Sequence, residues 1–194
     1  LVEAQTVKVV TEELPPYNFT NEDGEITGIS TEIVKAVFKE AEGLNANIVS
    51  LPWARAYQTA QKQPGVLIYS MVRNKQREDL FKWVGKVAPT KSYLYKLKNN
   101  SEVEIDKLAD AKRYKVGVVR GDAGKQYLQE KGFRKLQLVR NGELNIKKLI
   151  HGRVDLIEMD RAPLVYKMKQ MGLDPNQVET VHLNEAISGQ QYLA

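Results

Sequence analysis

The chain has 194 residues, 42% hydrophobic, 27% charged and 8% aromatic, which excludes disorder and collagen-like repetition, and no apolar run approaches the roughly 20 residues of a membrane-spanning helix. The net charge of +5 comes from 29 Lys and Arg against 24 Asp and Glu. Its densest clusters, Lys112-Arg113 and Lys147-Lys148, come without zinc-finger spacing, an RNA-recognition signature or a basic helix, so no nucleic-acid partner is expected.

There is no cysteine. Disulfides and thiolate chemistry drop out together, and the compartment stays open. The segment from Leu1 to Gln5 has neither a basic nor an apolar leader character, so any export signal is expected to be absent or already removed. Short β-type runs then alternate with helix-period segments. Thr6 to Thr11 reads as a strand, followed by turns at Pro15-Pro16 and Asn21 to Gly24. From Ser30 the pattern is helical: Ile33, Val34, Val37, Phe38 and Ala41 share a face, Ser30 can cap, and Gly43 can stop the helix. Asn47 to Leu51 is a strand, Ala54 to Gln63 a helix, and Val66 to Met71 a third strand. This βαβαβ order demands right-handed crossovers and a parallel sheet covered on both faces.

Pro89 to Ser92 leads into an extended Tyr93 to Leu97, after which the alternation restarts. Lys115 to Val119 is a strand and Gly124 to Lys131 a helix ended by Gly132. Gln137 to Val139 is a short strand, Glu143 to Ile150 a helix and Val154 to Met159 a strand. Ala162 to Met171 is a helix with Pro163 in its first turn, where the missing N–H costs nothing. Val178 to Leu183 and Gln191 to Ala194 close the chain as strands. Two α/β halves predict two lobes, residues 1–90 with 184–194 and residues 91–183. In open α/β sheets ligands bind beyond the carboxyl ends of the strands, so Thr11 to Glu13, Leu51 to Trp53, Met71 to Arg77, Arg120 to Gly124 and Asp160 are the candidate positions.

His151 and His182 have no carboxylate or second histidine at ligand spacing, which argues against a metal site or a Ser-His-Asp triad. Gly121 to Lys125 resembles a phosphate loop but lacks the spacing and the following Ser or Thr. It reads as a strand-to-helix turn whose amides face an anion. Trp53, where a strand gives way to a helix, is either core or ligand wall, and Tyr17 is a weaker case of the same kind. Arg73 and Arg77 follow the third strand, where a guanidinium offers a two-pronged fit to a carboxylate. Glu158 and Asp160 share one face of a strand. A cation in one half and an anion in the other suit a zwitterion.

The segments "LPPYNF", "EDGEITGISTEIVKAV", "LPWARAYQ", "MVRNKQREDLFKWVG", "YKVGVVRGDAG", "GRVDLIEMD" and "SGQQYLA" resemble, in that order, the periplasmic solute-binding proteins of polar amino-acid ABC importers, family 3. The resemblance implies an α/β, two-lobe periplasmic-binding-protein-like (type II) fold. Each lobe would be a mostly parallel sheet flanked by helices, with the C-terminal part of lobe 1 missing. It implies that Arg77 binds a ligand α-carboxylate and Asp160 an α-ammonium. Trp53 matches a wall position, Met71, Val72 and Asn74 the segment before the arginine, and Gly121, Asp122 and Ala123 a turn of backbone donors. Arg73, Glu13 and Tyr17 complete the expected ligand-binding set. Val72 and Ala123 stand where many members carry hydroxyls, Thr11 and Leu14 where some have an acid and a tyrosine, and Lys75 replaces a frequent proline. The implied protein is a periplasmic monomer that needs no cofactor or metal, carries out no catalysis, and delivers a small solute to the membrane subunits of an ABC importer. Two alternatives stay open. One is the ligand-sensing domain of a signalling receptor. The other is a prephenate- or arogenate-dehydratase-like enzyme with Glu13 or Glu158 as its acid.

Overall fold

The computed structural model describes residues 4–194, so Leu1 to Glu3 of the leader reading lie outside the described residues. The chain divides into two compact units, Leu1–Pro89 with Gln190–Ala194, and Thr90–Gly189.

The first unit begins with β1 (Gln5–Thr11), β2 (Phe19–Thr20), β3 (Ile26–Thr27), α1 (Ile29–Glu40), β4 (Leu44–Ser50) and α2 (Trp53–Lys62). It continues through β5 (Leu67–Ile68), β6 (Met71–Val72) and β7 (Gly85–Thr90), and β13 (Gly189–Leu193) returns to it. A parallel sheet has the order β4-β1-β5, as the βαβαβ reading expects of its pairing, and a second sheet has the order β6-β13-β7. The short β2–β3 hairpin turns where Asn21 Oδ1 accepts from the amides of Asp23 and Glu25.

Three sequence expectations change here. The third strand is broken, because Ser70 takes φ 59°, a left-handed conformation that a non-glycine residue rarely adopts. Before the break β5 pairs with β1, and after it β6 pairs with β13 from the far end of the chain. The second change is the α1 cap. Gly28, at φ 113°, holds that position, and a Cβ there would lie 2.5 Å from the Tyr17 carbonyl. Ser30 is instead buried in the first turn and donates its amide to Tyr17 O at 2.8 Å. The third is the phase of α1. Val34 and Phe38 pack with Val9, Tyr69, Val87 and Leu193, whereas Ile33 and Val37 remain 38% and 44% exposed.

The second unit contains β8 (Ser92–Leu97), β9 (Val116–Val119), α3 (Ala123–Glu130), β10 (Leu136–Val139), α4 (Gly142–Ile150), β11 (Leu156–Asp160), α5 (Arg161–Gln170) and β12 (Val178–Leu183). Its sheet order is β10-β9-β11-β8-β12. β9, β10 and β11 run parallel, while β8 is antiparallel to both of its neighbours. One core forms where α4 and α5 cover the sheet with Ile146, Leu149, Leu164 and Met168 against Tyr95, Ile157 and Met159. Each such fully buried aliphatic side chain contributes roughly 1.5–3 kcal/mol.

Candidate functional site

In the first unit the predicted residues gather where β1, β4 and β6 end. β6 stops after Val72, and the chain turns through Asn74, whose Oδ1 accepts from the Arg77 amide at 3.0 Å. That turn directs Arg77 back over its own segment, where Nη1 donates to Val72 O at 3.1 Å. The guanidinium lies 5.5 Å from the ring centroid of Trp53 and 5.1 Å from that of Tyr57, within cation–π range. Arg77 is 0% exposed. A guanidinium does not lose its charge on burial, so this site keeps a fixed, planar cation. Trp53 packs with Val10, Ala56, Ile68 and Met71, so it touches both the core and the arginine.

Arg73 has different company. Its Nε donates to Glu78 Oε2 at 2.8 Å, Nη2 bonds to Oε1 of the same carboxylate, and the guanidinium lies over Trp83 and Tyr192. This ion pair is exposed on both sides and lowers the Glu78 pKa mainly through the hydrogen bond. Glu13 is tied to the rim of the sheet, accepting from Thr20 N at 2.9 Å, Thr20 Oγ1 at 2.8 Å and Ser50 Oγ at 2.7 Å. Tyr17 is buried and donates its hydroxyl to Pro89 O at 2.9 Å.

In the second unit β9 ends at Val119, and Gly121, at φ 76°, turns the chain into α3. Asp122 is the N-cap residue, its Oδ1 accepting from Ala123 N at 2.6 Å. Asp160 plays the same part for α5 and accepts from Ala162 N at 2.9 Å. Its other oxygen accepts from Lys91 N at 3.0 Å and from the Thr90 hydroxyl. Three donors and the start of a helix hold this carboxylate in place.

Between these two caps, on β11, lies Glu158, 4% exposed. Ser92 donates its hydroxyl to Glu158, and Asn184 Nδ2 donates to Ser92 Oγ at 3.0 Å. Burial first, then the charges of Asp122 and Asp160, push the Glu158 carboxyl up to about 8. Sequence reasoning placed Glu158 and Asp160 on one face but missed the hydroxyls of Thr90 and Ser92 that receive them. The signal was available, since a glutamate inside an apolar strand needs a hydrogen-bonding partner, and Thr90 and Ser92 stand at the junction of β7 with β8, the strand that pairs with β11.

Among the described residues no cluster of His, Cys, Asp or Glu could hold a metal ion, and no helix is long and apolar enough to cross a membrane. The model of the bacterial extracellular solute-binding proteins, family 3, matches residues 7–170. No curated protein sequence matches the chain. Among solved structures, a histidine kinase sensor domain with similarity to periplasmic binding proteins aligns at TM-score 0.85 and 16% identity, covering 98% of this chain and 82% of that one. An ancestral arginine-binding protein bound to arginine aligns at TM-score 0.78 and 21% identity, covering 96% and 83%. An ancestral amino acid-binding protein, a precursor of cyclohexadienyl dehydratase, aligns at TM-score 0.74 and 19% identity, covering 96% and 81%. At these identities the likeness is one of fold.

Proposed function

We propose that this chain, which belongs to the bacterial extracellular solute-binding proteins of family 3, binds a small zwitterionic solute, a polar amino acid, in the periplasm and delivers it as a monomer to an ABC importer. The observation that carries this reading is Arg77, a fully buried guanidinium whose plane is set by Val72 O, Trp53 and Tyr57. In this reading Arg77 takes the ligand α-carboxylate, aided by amides of Gly121, Asp122 and Ala123, and Asp160 takes the α-ammonium. Met71, Val72, Asn74 and Trp53 shape the wall. Val72 and Ala123 offer no hydroxyl, so backbone N–H groups do that work. Arg73, Glu13 and Tyr17 act from the edge, given the contacts described above. Likeness in fold to a protein bound to arginine supports the amino-acid class.

The test is a thermal-shift screen of amino acids and organic acids. A ligand at 100 times its Kd adds about 2.7 kcal/mol to stability. If only acids lacking an amino group raise the melting temperature, the zwitterion reading is wrong.

A second reading, the sensing domain of a signalling receptor, draws on the fold likeness to a histidine kinase sensor domain. Stimulation of ATP hydrolysis by a reconstituted importer supports the first reading, and ligand-dependent kinase activity in a fusion supports the second. A dehydratase-type activity would release a decarboxylated product from prephenate, and none is expected.

A further inference from the structure

The chain passes from the first unit to the second after Pro89 and returns after Gly189, so residues 90–92 and 184–189 are the crossover segments on the side of the second unit. β11 fastens the first of them. Asp160 accepts from the Thr90 hydroxyl and from Lys91 N at 3.0 Å, and Glu158 accepts from the Ser92 hydroxyl. The second segment is fastened to Ser92. Asn184 donates its backbone N–H to Ser92 O at 2.9 Å and its Nδ2 to Ser92 Oγ at 3.0 Å, and Ser92 N donates to Ser188 Oγ at 3.0 Å. A hydroxyl has one proton to give, so giving it to Glu158 leaves the Ser92 lone pairs for Asn184. Asn184 is 0% exposed, and its Oδ1 has no hydrogen-bond partner among the described residues. Its side chain is therefore held by its bond to Ser92.

Glu158 itself is buried on β11 with Leu156, Ile157 and Met159. Its carboxyl fills the space of a missing side chain, since a Cβ on Gly124, the second residue of α3, would overlap Oε2. The titratable groups around it are Asp122 from the start of α3, Asp160 from its own strand and the Tyr95 phenol from β8. β9 carries none, and α4 and α5 cover the opposite face of the strand through Ile157 and Met159. Glu185, beside Asn184, acts on Tyr127 of α3 and on His182. Among the described residues no Lys or Arg forms an ion pair with Glu158. Asp122 and Asp160 are each held by a backbone amide as helix caps, whereas Glu158 is held by the Ser92 hydroxyl. A charge on Glu158 would be repelled by both caps in a site of low dielectric, and of the three carboxyls it is the least anchored. We propose that Glu158 is a proton-operated latch on the two crossovers: neutral, it holds Ser92 and, through Ser92, Asn184; ionised, it leaves its place against Gly124, and both segments open within the second unit. The Ser92 hydroxyl then loses its acceptor, and the Asn184 amide, with one atom already unpartnered, gains by meeting water. The latch does not depend on which ligand the protein takes.

The experiment follows amide hydrogen exchange of the intact, ligand-free chain by NMR between pH 7 and 9, a window in which His182, lowered below 6.5 by burial, stays neutral. Each rate is corrected for intrinsic exchange at that pH, and is measured again in low urea to separate local from global opening. In wild type the protection of the Ser92 and Asn184 amides should fall by about tenfold per pH unit at most, because opening releases one proton, and should level off once Glu158 is ionised in the closed state. The urea dependence of these two amides should stay small. In Glu158→Gln, a neutral isostere, their protection should not change with pH. In Ser92→Ala the pH dependence of the Asn184 amide should vanish, because the link to Glu158 is cut. A ¹³C titration of the wild-type glutamate carboxyls needs neither variant to fold: the Glu158 midpoint should coincide with the pH at which protection levels off. A Glu158 signal that titrates with the other glutamates overturns the latch. So do Ser92 and Asn184 amides that exchange only with the urea dependence of the β9 amides, or a pH slope that survives in either variant.

Discussion

Glu158 also makes a prediction about stability that needs no ligand. Its carboxyl is pushed up to about 8 in the folded chain by burial, Asp122 and Asp160, against an ordinary value of 4.5. Between those values the folded state holds a proton that the unfolded state has released. Stability from this group is therefore fully present below pH 4.5 and is lost as pH rises towards 8. The slope is at most about 1.4 kcal/mol per pH unit, so the loss between pH 5.5 and 7.5 is at most about 2.7 kcal/mol. His182 opposes it. Burial lowers its pKa below 6.5, so its contribution rises with pH across part of the same interval. The clean measurement is therefore a difference: urea unfolding of wild type and Glu158→Gln at pH 5.5, 6.5 and 7.5, with the same His182 in both. Wild type should lose stability relative to the variant at each step. Parallel pH profiles, or a wild type that gains on the variant with rising pH, would show that the carboxyl is ionised in the folded chain.

Arg77→Lys should weaken amino-acid binding by about 2–5 kcal/mol, the cost of disrupting a desolvated charge contact, while Arg73→Lys, acting on an exposed pair with Glu78, should change it by less than about 1 kcal/mol; equal losses in isothermal titration would remove Arg77 from the site. Asp160→Asn should weaken binding of amino acids more than binding of their amine-free analogues, and an equal loss for both would show that it acts only as the α5 cap. Gly124→Ala should cost about 1–3 kcal/mol through overpacking against Glu158, much less in a Glu158→Ala background, and additivity in that double-mutant cycle would mean the two do not share one space. On titration with a binding amino acid, wild type should change tryptophan emission more than Trp53→Phe, since Trp53 faces Arg77 while Trp83 is held by Phe81, Tyr192 and a bond to Glu78 O; an unchanged response in the mutant would assign the signal elsewhere.

Local pattern carried much of the molecule. The alternation of β-type runs with helix-period segments named β1, β9 and β11 and helices α2 to α5 within a residue or two, because each is short enough for its own periodicity to declare it. Arg77 and Asp160 were legible as charges at strand ends for the same reason. What the pattern could not supply was the partner of each face. α1 has apolar residues on two adjacent arcs, and packing against Val9 and Tyr69 chose Val34 and Phe38 over Ile33 and Val37. The third strand reads as continuous from Val66 to Met71. Pairing with β1 on one side and β13 on the other divides it, with the break at Ser70. Glu158 shows the limit most clearly. Its period placed it beside Asp160, but its raised pKa comes from burial and from Asp122, and its carboxyl packs against Gly124 and Ser92, three residues far from it in the chain that only the folded second unit brings together. A sequence by itself determines which side chains share a face and which charges sit at a strand end. Burial and protonation state are set by what covers that face, and here that was decided by contacts between segments far apart in the chain.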